Sequence, residues 1–190
     1  MKHHKLILLC FLLMILISGT VCEKKEQGEE IIPLEIGPEI TRAIAVLHPT
    51  EGGRVMGIVT FVKTEEGIEI TADVEGLSPG KHGFHIHEYG DCSALDATSA
   101  GGHFNPEDMP HGAPTDMERH VGDLGNLIAD PEGMAHYQRM DSLISFSGPH
   151  SIIGLAVIIH QGEDDFTSQP TGNAGSRVAC GVIGIAKSNN

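Results

Sequence analysis

Positive charge is scarce in this chain of 190 residues: 12 lysines and arginines stand against 26 aspartates and glutamates. Such a balance argues against nucleic acid and anionic membranes as partners. Long apolar runs are lacking too. The longest, Leu6 to Ile17, has twelve residues, where a membrane-spanning helix needs about 20. No internal repeat is visible, which excludes a solenoid, and no segment has a convincing amphipathic helical period. Cysteine is sparse. Cys10 and Cys22 fall in the first 22 residues, leaving Cys92 and Cys180 for the body.

What is present at the start is a secretory signal in form. Lys2 and Lys5 precede the apolar run, and Ser18, Gly19 and Thr20 follow it. Residues 1–22 are read as that signal. A lipid on Cys22 is the alternative, although Gly19-Thr20-Val21 fits a lipobox poorly. Export places the mature chain in the periplasm or outside the cell, tethered to a membrane if Cys22 is lipidated. Residues 23–40 read as a flexible charged leader, and residues 41–190 as one domain with length enough for a proper core. Losing residues 1–22 removes Lys2, Lys5 and no acid, so the net charge moves from −14 to −16. In an exported protein Cys92 and Cys180 should pair, a bridge worth about 2–4 kcal/mol.

The body consists of short β-branched runs punctuated by Gly, Pro and Asp. Strands are expected over 43–47, 54–63, 68–74, 81–88, 120–129, 134–139, 143–147, 152–160 and 178–186. Eight or nine strands at this spacing imply an all-β fold, an antiparallel sandwich or barrel. Two polar, Gly/Pro-rich stretches interrupt the rhythm, 90–119 and 161–176. Loops of that length in a compact domain usually carry function.

Histidine carries the chemistry. His85 and His87 flank Ile86, and residues i and i+2 of a strand point to one face. His103, His111, His120 and Asp123 follow, with His160 further on. Imidazole suits copper and zinc, and an added carboxylate is compatible with zinc. His85, His87 and His160 stand on strands, whereas the others belong to the long loop and the start of the next strand. That division suggests one reactive metal on the sheet and one structural metal ordering the loop. His82 is expected to bond the backbone and take no part in metal binding. His48, His136 and His150 are expected at the surface.

Six segments then match one family in order: Gly83-Phe-His-Ile-His-Glu-Tyr-Gly-Asp91, Ser99-Ala-Gly-Gly-His-Phe-Asn-Pro106, His111-Gly-Ala-Pro114, Arg119-His-Val-Gly-Asp-Leu-Gly-Asn126, Gly172-Asn-Ala-Gly-Ser-Arg177 and Ala179-Cys-Gly-Val-Ile-Gly184. The chain resembles the copper/zinc superoxide dismutases over about residues 41–187. The resemblance implies an eight-stranded Greek-key barrel with two functional loops. It implies dismutation of superoxide to dioxygen and hydrogen peroxide by alternate reduction and reoxidation of copper. Copper would be held by His85, His87, His103 and His160, and zinc by His103, His111, His120 and Asp123. His103 would bridge the two metals and carry a proton. Arg177 would attract the anion, Asp164 would link a copper histidine to a zinc histidine, and Cys92–Cys180 would be the family's disulfide. The place of Cys92 directly after Asp91 departs from the animal-type pattern and the subloop 93–98 resembles bacterial exported forms, whereas the ending 181–186 and Ile152-Ile-Gly154 resemble animal-type forms in which these segments build a homodimer contact. The stretch 161–176 contains no lysine or arginine, unlike many members, so weaker steering of the substrate is expected. The competing reading is an exported metal-buffering or metal-delivery protein without catalysis. Such a protein would need neither Arg177 nor Asp164.

Overall fold

The computed structural model describes residues 39–187. The readings placed on residues 1–38, including the signal, Cys10, Cys22 and most of the leader, lie outside the described residues. Among the described residues eight strands form: β1 Arg42–Pro49, β2 Met56–Lys63, β3 Ile68–Glu75, β4 Gly80–His87, β5 Asp123–Ala129, β6 Ala135–Asp141, β7 Ala156–His160 and β8 Arg177–Ile185. The single helical element among the described residues is a 3-10 turn, Thr98–Ala100.

The pleat explains the strands. On β3, Ile68, Ile70, Ala72 and Val74 point inward, while Thr71 is partly covered and Asp73 and Glu75 face solvent. That is the period of two of a sheet with one wet face. β4 and β7 break the alternation because both of their faces are covered. Phe84 and Ile86 on β4, and Val157 and Ile159 on β7, join the main core. On the outer face of β7, Ala156 and Ile158 pack with Ala97, Ala100 and Cys180. The loop after β4 therefore lies on the outside of the barrel, and its small alanines are what let it lie close.

The strand order is β5-β4-β7-β8-β1-β2-β3-β6, and every neighbouring pair is antiparallel. β6 pairs with β3, not with its sequence neighbour β5, and β7 returns to β4. These crossings give the expected Greek-key arrangement in a nearly closed barrel. Side chains close the remaining seam between β5 and β6. The Tyr137 hydroxyl donates to the Leu124 carbonyl at 2.7 Å, and its ring meets Phe84 edge-on at 5.2 Å. Burial pushes the Tyr137 phenol above its ordinary range, so it remains a donor.

Three boundaries differ from expectation. Residues 143–147 form no strand, only a one-residue bridge between Ser145 and Ser151. Asp141 Oδ1 accepts the N–H groups of Leu143 and Ile144, so a side chain takes donors that a ladder would have used. β7 begins at Ala156 and not at Ile152, because the chain turns at Gly154, whose φ is 83°. β5 begins at Asp123, since Gly122 is bonded to Phe104 and Ile86 outside the β4–β5 ladder.

Lys63, Lys81, Arg119 and Arg139, the cations of the body that could add to the pull of Arg177 on an anion, are all engaged. Lys63 pairs with Glu39 at 2.5 Å and Lys81 with Glu163 at 2.6 Å. Arg119 is buried against Asp141 at 2.5 Å, and its other donors reach the carbonyls of His120, Val121 and Asp123. Arg139 donates to the Pro114 carbonyl.

Candidate metal centre

The histidine site is built on the outer face of β4 and β7, beneath the two long loops. The pleat of β4 sends His85 and His87 to one side and Phe84 and Ile86 to the core. His160 ends β7, the strand that pairs with β4. A three-way backbone lock brings in the loop residues: Phe104 N–H donates to Ile86 O, Ile86 N–H to Gly122 O, and Gly122 N–H to Phe104 O. The lock uses main-chain groups freed where the β4–β5 register shifts between Gly83 and His85. It sets His103 and the His120–Asp123 turn beside β4.

Two clusters of ligand atoms result. His85, His87, His103 and His160 make the first; His103, His111, His120 and Asp123 make the second. All seven residues are buried, and within each cluster the ligand atoms lie within 4.8 Å of one another. Every metal-ligating residue read from the sequence is thus brought together, with His103 in both groups.

Proton placement in the first cluster follows from its acceptors. His87 Nδ1 lies 2.9 Å from Gly101 O, and His160 Nδ1 lies 3.1 Å from Gly175 O. A carbonyl only accepts, so each Nδ1 carries hydrogen and a neutral ring leaves each Nε2 with a lone pair. Those two Nε2 atoms face each other at 3.4 Å. His85 spends Nε2 on Asp164 Oδ2 at 2.8 Å, leaving Nδ1 buried without a partner, as is Nε2 of His103. Unpaired buried polar atoms cost about 1–3 kcal/mol each. Lone pairs converging in this way call for a cation. Two nitrogens bound tetrahedrally at about 2.0–2.1 Å from one ion are about 3.3–3.4 Å apart, which is the spacing found.

The second cluster centres on Asp123. Its Oδ1 lies 2.8, 3.0 and 3.3 Å from Nδ1 of His103, His111 and His120. Its Oδ2 accepts the N–H groups of His120 and Gly112. Three nitrogens and one carboxylate oxygen form a donor set that zinc takes tetrahedrally. The two clusters are joined twice, through the His103 ring and through Asp164, whose Oδ2 meets His85 and whose Oδ1 meets His111 Nε2 at 2.9 Å.

Electrostatics divide the two. Burial, reinforced by neighbouring His103, drives His85 down to about 3. Burial likewise takes His160 down to about 4 and His87 well below its usual value. These rings are neutral and ready to bind at neutral pH. Burial also acts to lower His111, but Asp123 and Asp164 outweigh it and raise the ring to about 9. The same burial opposes ionisation of Asp123 and Asp164, yet their histidine partners hold both far below the usual carboxylate range.

Arg177, at the start of β8, donates to the carbonyls of Ala97 and Gly101. Gly101 O is the same atom that orients His87, so one carbonyl aligns the cation and a metal-site histidine together. Cys92 and Cys180 form a disulfide with Cα atoms 5.8 Å apart. It ties the loop bearing Ala97 and Gly101 to the strand bearing Arg177. His82 behaves as expected: buried, with Nδ1 2.9 Å from His160 O and Nε2 2.8 Å from Ser78 O. His48 and His136 are exposed, while His150 is half-buried and meets Glu107 at 2.7 Å. Two contributors had no signal of their own in the sequence. Asn126 exchanges two hydrogen bonds with the main chain of Asp164, and Gln169 does the same with His111.

Comparison with known proteins agrees with this geometry. The family model described as copper/zinc superoxide dismutase matches residues 55–183. The extracellular copper/zinc superoxide dismutase of Brugia pahangi is 44% identical over 153 residues, covering 76% of each chain. The copper/zinc superoxide dismutase of Onchocerca volvulus is 47% identical over 156 residues, 76% of this chain and 96% of its own. The extracellular enzyme of Caenorhabditis elegans is 44% identical over 164 residues, 81% of this chain and 74% of its own. Among solved structures, the crystal structure of the clock protein EA4 has a TM-score of 0.72 and 47% identity, covering 79% of this chain and 98% of that one.

The divided electrostatics predict divided proton release. In the metal-free protein His111, raised to about 9, is protonated at neutral pH and must lose that proton to bind a cation. Affinity at its cluster therefore rises about tenfold per pH unit from neutrality toward pH 9. His85 and His160, lowered to about 3 and 4, release none, so affinity there is flat above about pH 5. Calorimetric titration in two buffers of different protonation enthalpy measures this; equal proton release at both clusters would contradict it.

Proposed function

The chain belongs to the copper/zinc superoxide dismutase family, and from that premise we propose a residue-by-residue assignment of its two buried clusters. The protein is an exported enzyme that uses copper and zinc to convert superoxide to dioxygen and hydrogen peroxide. We assign copper to Nδ1 of His85 and to Nε2 of His87, His103 and His160. Zinc is assigned to Nδ1 of His103, His111 and His120 and to Oδ1 of Asp123. The observation that carries the assignment is the convergence of lone pairs on two buried points that share one imidazole.

Copper, when bound, supplies the one-electron cycle, and zinc, which has no redox chemistry, supplies fixed positive charge. The residues do the rest. Asp164 holds His85 and His111 in their tautomers, the usual work of a carboxylate behind a ligating histidine. His103 presents Nδ1 to one cluster and Nε2 to the other, so Nε2 is the atom that can hold a proton for the departing peroxide. Arg177 is cationic at all working pH values. Two of its donors are spent on carbonyls, and the others can bind a small anion by charge-assisted hydrogen bonds.

Steering rests mainly on Arg177. The loop 161–176 has no lysine or arginine, Lys81 is paired with Glu163, and Asp96 stands close enough to Arg177 for their charges to interact. Exposed charges are screened beyond about 8–10 Å at physiological salt, so the acidic surface at large matters less than this arginine.

The preferred compartment is extracellular, as the names of the Brugia and Caenorhabditis relatives state for those proteins. We favour a freely secreted chain over a Cys22 lipid tether or a periplasmic location. We also favour a homodimer. Val46, Tyr89, Val182 and Ile185 are large, exposed and apolar, Val46 and Val182 stand on adjacent strands, and Gly90 packs against Gly154 and Val182. Exposed apolar surface of this kind marks an interaction site.

Four measurements test these readings. His87→Ala, loaded with both metals, should lose dismutation while keeping zinc; activity that survives sinks the assignment. Arg177→Ala should lower kcat/KM about 10–100-fold, the worth of a charge-assisted hydrogen bond. Salt should slow the parent enzyme only shallowly, and a steep fall would show steering from many charges. Native mass spectrometry of the secreted protein should give two chains, each beginning near residue 23 without lipid. A monomer or an acylated Cys22 would refute the corresponding part.

A further inference from the structure

His111 is gripped from three directions by the loop 161–176. Its Nε2 meets Asp164 Oδ1 at 2.9 Å. Its main-chain N–H donates to Gln169 Oε1 at 2.8 Å, and its carbonyl accepts from Gln169 Nε2 at 2.9 Å. The pairing is reciprocal, one donor and one acceptor on each side, as between two residues of a β-ladder. It spans 58 residues of sequence. No other hydrogen bond reaches the His111 main chain among the described residues. The third contact is Gly172: a Cβ there would lie 1.8 Å from Asp164 Oδ1 and 2.6 Å from His111 Nε2, and its φ is +65°. Loop backbone is thus pressed against the junction of Asp164 and His111.

Gln169 is not a loose surface amide. Asp165 Oδ1 accepts the N–H groups of Thr167 and Ser168, and Asp165 Oδ2 accepts from the Ser168 hydroxyl. Asp165 N–H donates to Gly172 O, and Gly172 N–H to Ser168 O. These bonds fold 165–172 into a closed turn that presents the amide in place. His111, by contrast, stands mid-loop between β4 and β5, where no ladder fixes its backbone. Without the clamp, that residue would have to be ordered at the expense of metal binding.

We propose that Gln169 is a positioning residue for zinc. It fixes the His111 main chain so that Nδ1 faces the zinc cluster and Nε2 faces Asp164. It thereby sets zinc affinity and couples zinc to the loop that ends at Arg177. The proposal rests on the zinc assignment made above.

Gln169→Met keeps the side chain's length and removes both hydrogen bonds. Gln169→Glu keeps an acceptor for the His111 N–H but turns a second oxygen on the His111 carbonyl. Zinc affinity is read by competition with a chromophoric chelator, and site geometry by the visible spectrum of cobalt(II) in place of zinc. Gln169→Met should weaken zinc about 10–100-fold, as loss of a residue supporting a metal ligand does, and should shift the cobalt bands. Copper affinity and the melting point of the metal-free protein should stay at parent values. Gln169→Glu should be at least as weak. A Gln169→Met variant that binds zinc within about twofold of the parent overturns the proposal. Equal loss of zinc and copper, or failure to fold, would also overturn it by showing a general structural role. A parent protein that takes no zinc at the His111 cluster would instead sink the zinc assignment itself, and the same titration reads that result.

Discussion

Carbonyl and carboxylate oxygens decide where the protons of the buried histidines sit, and the rest of the molecule depends on that decision. Gly101 O and Gly175 O each hold an Nδ1–H; Asp164 holds an Nε2 of His85 and of His111. What remains in the first cluster is a set of lone pairs with no hydrogen available to fill them. A protein interior tolerates this poorly unless a cation supplies the missing partner. Two cations sharing His103 would satisfy the orphaned nitrogens of His85, His103 and His111 at once.

The fold exists to make those oxygens immobile. β4 and β7 supply a rigid floor whose inner face is core and whose outer face carries His85, His87 and His160. The loops form the roof, and each is anchored by contacts that also orient a ligand. Gly101 O serves His87 and Arg177 together. The disulfide at Cys92 and Cys180 joins this roof to β8, and the Phe104, Ile86 and Gly122 lock joins it to β4. Moving Gly101 would disturb His87 and Arg177 in the same stroke. Rigid placement of preformed charge is what this fold provides at the site.

Much of this was legible in the sequence because it is periodic or dense. The inward residues of β3 announce themselves by alternation, and the His85–His87 pair by its spacing of two. The seven residues that the resemblance named as ligands converge in two buried clusters. What could not be read depends on groups whose side chains are absent or unremarkable. Gly101 and Gly175 act through a carbonyl, which no residue type advertises; Gly172 acts by having no Cβ. Asn126 and Gln169 act through amides that pair with distant backbone, and nothing local in the sequence marks such a pair. The missed boundaries have the same cause. Residues 143–147 look strand-like because Ile144 and Phe146 are buried, but Asp141 captures their backbone donors, and Gly154 delays the start of β7.

The central claim is that one imidazole, His103, belongs to both sites. Its most direct test is electron paramagnetic resonance of the protein loaded with copper(II) at both clusters. Two copper(II) ions joined through one deprotonated imidazole couple their spins antiferromagnetically. The account predicts that the ordinary copper signal will collapse at low temperature and return in a His103→Ala variant that still binds both ions. A spectrum that integrates to two independent spins in the unaltered chain would contradict it.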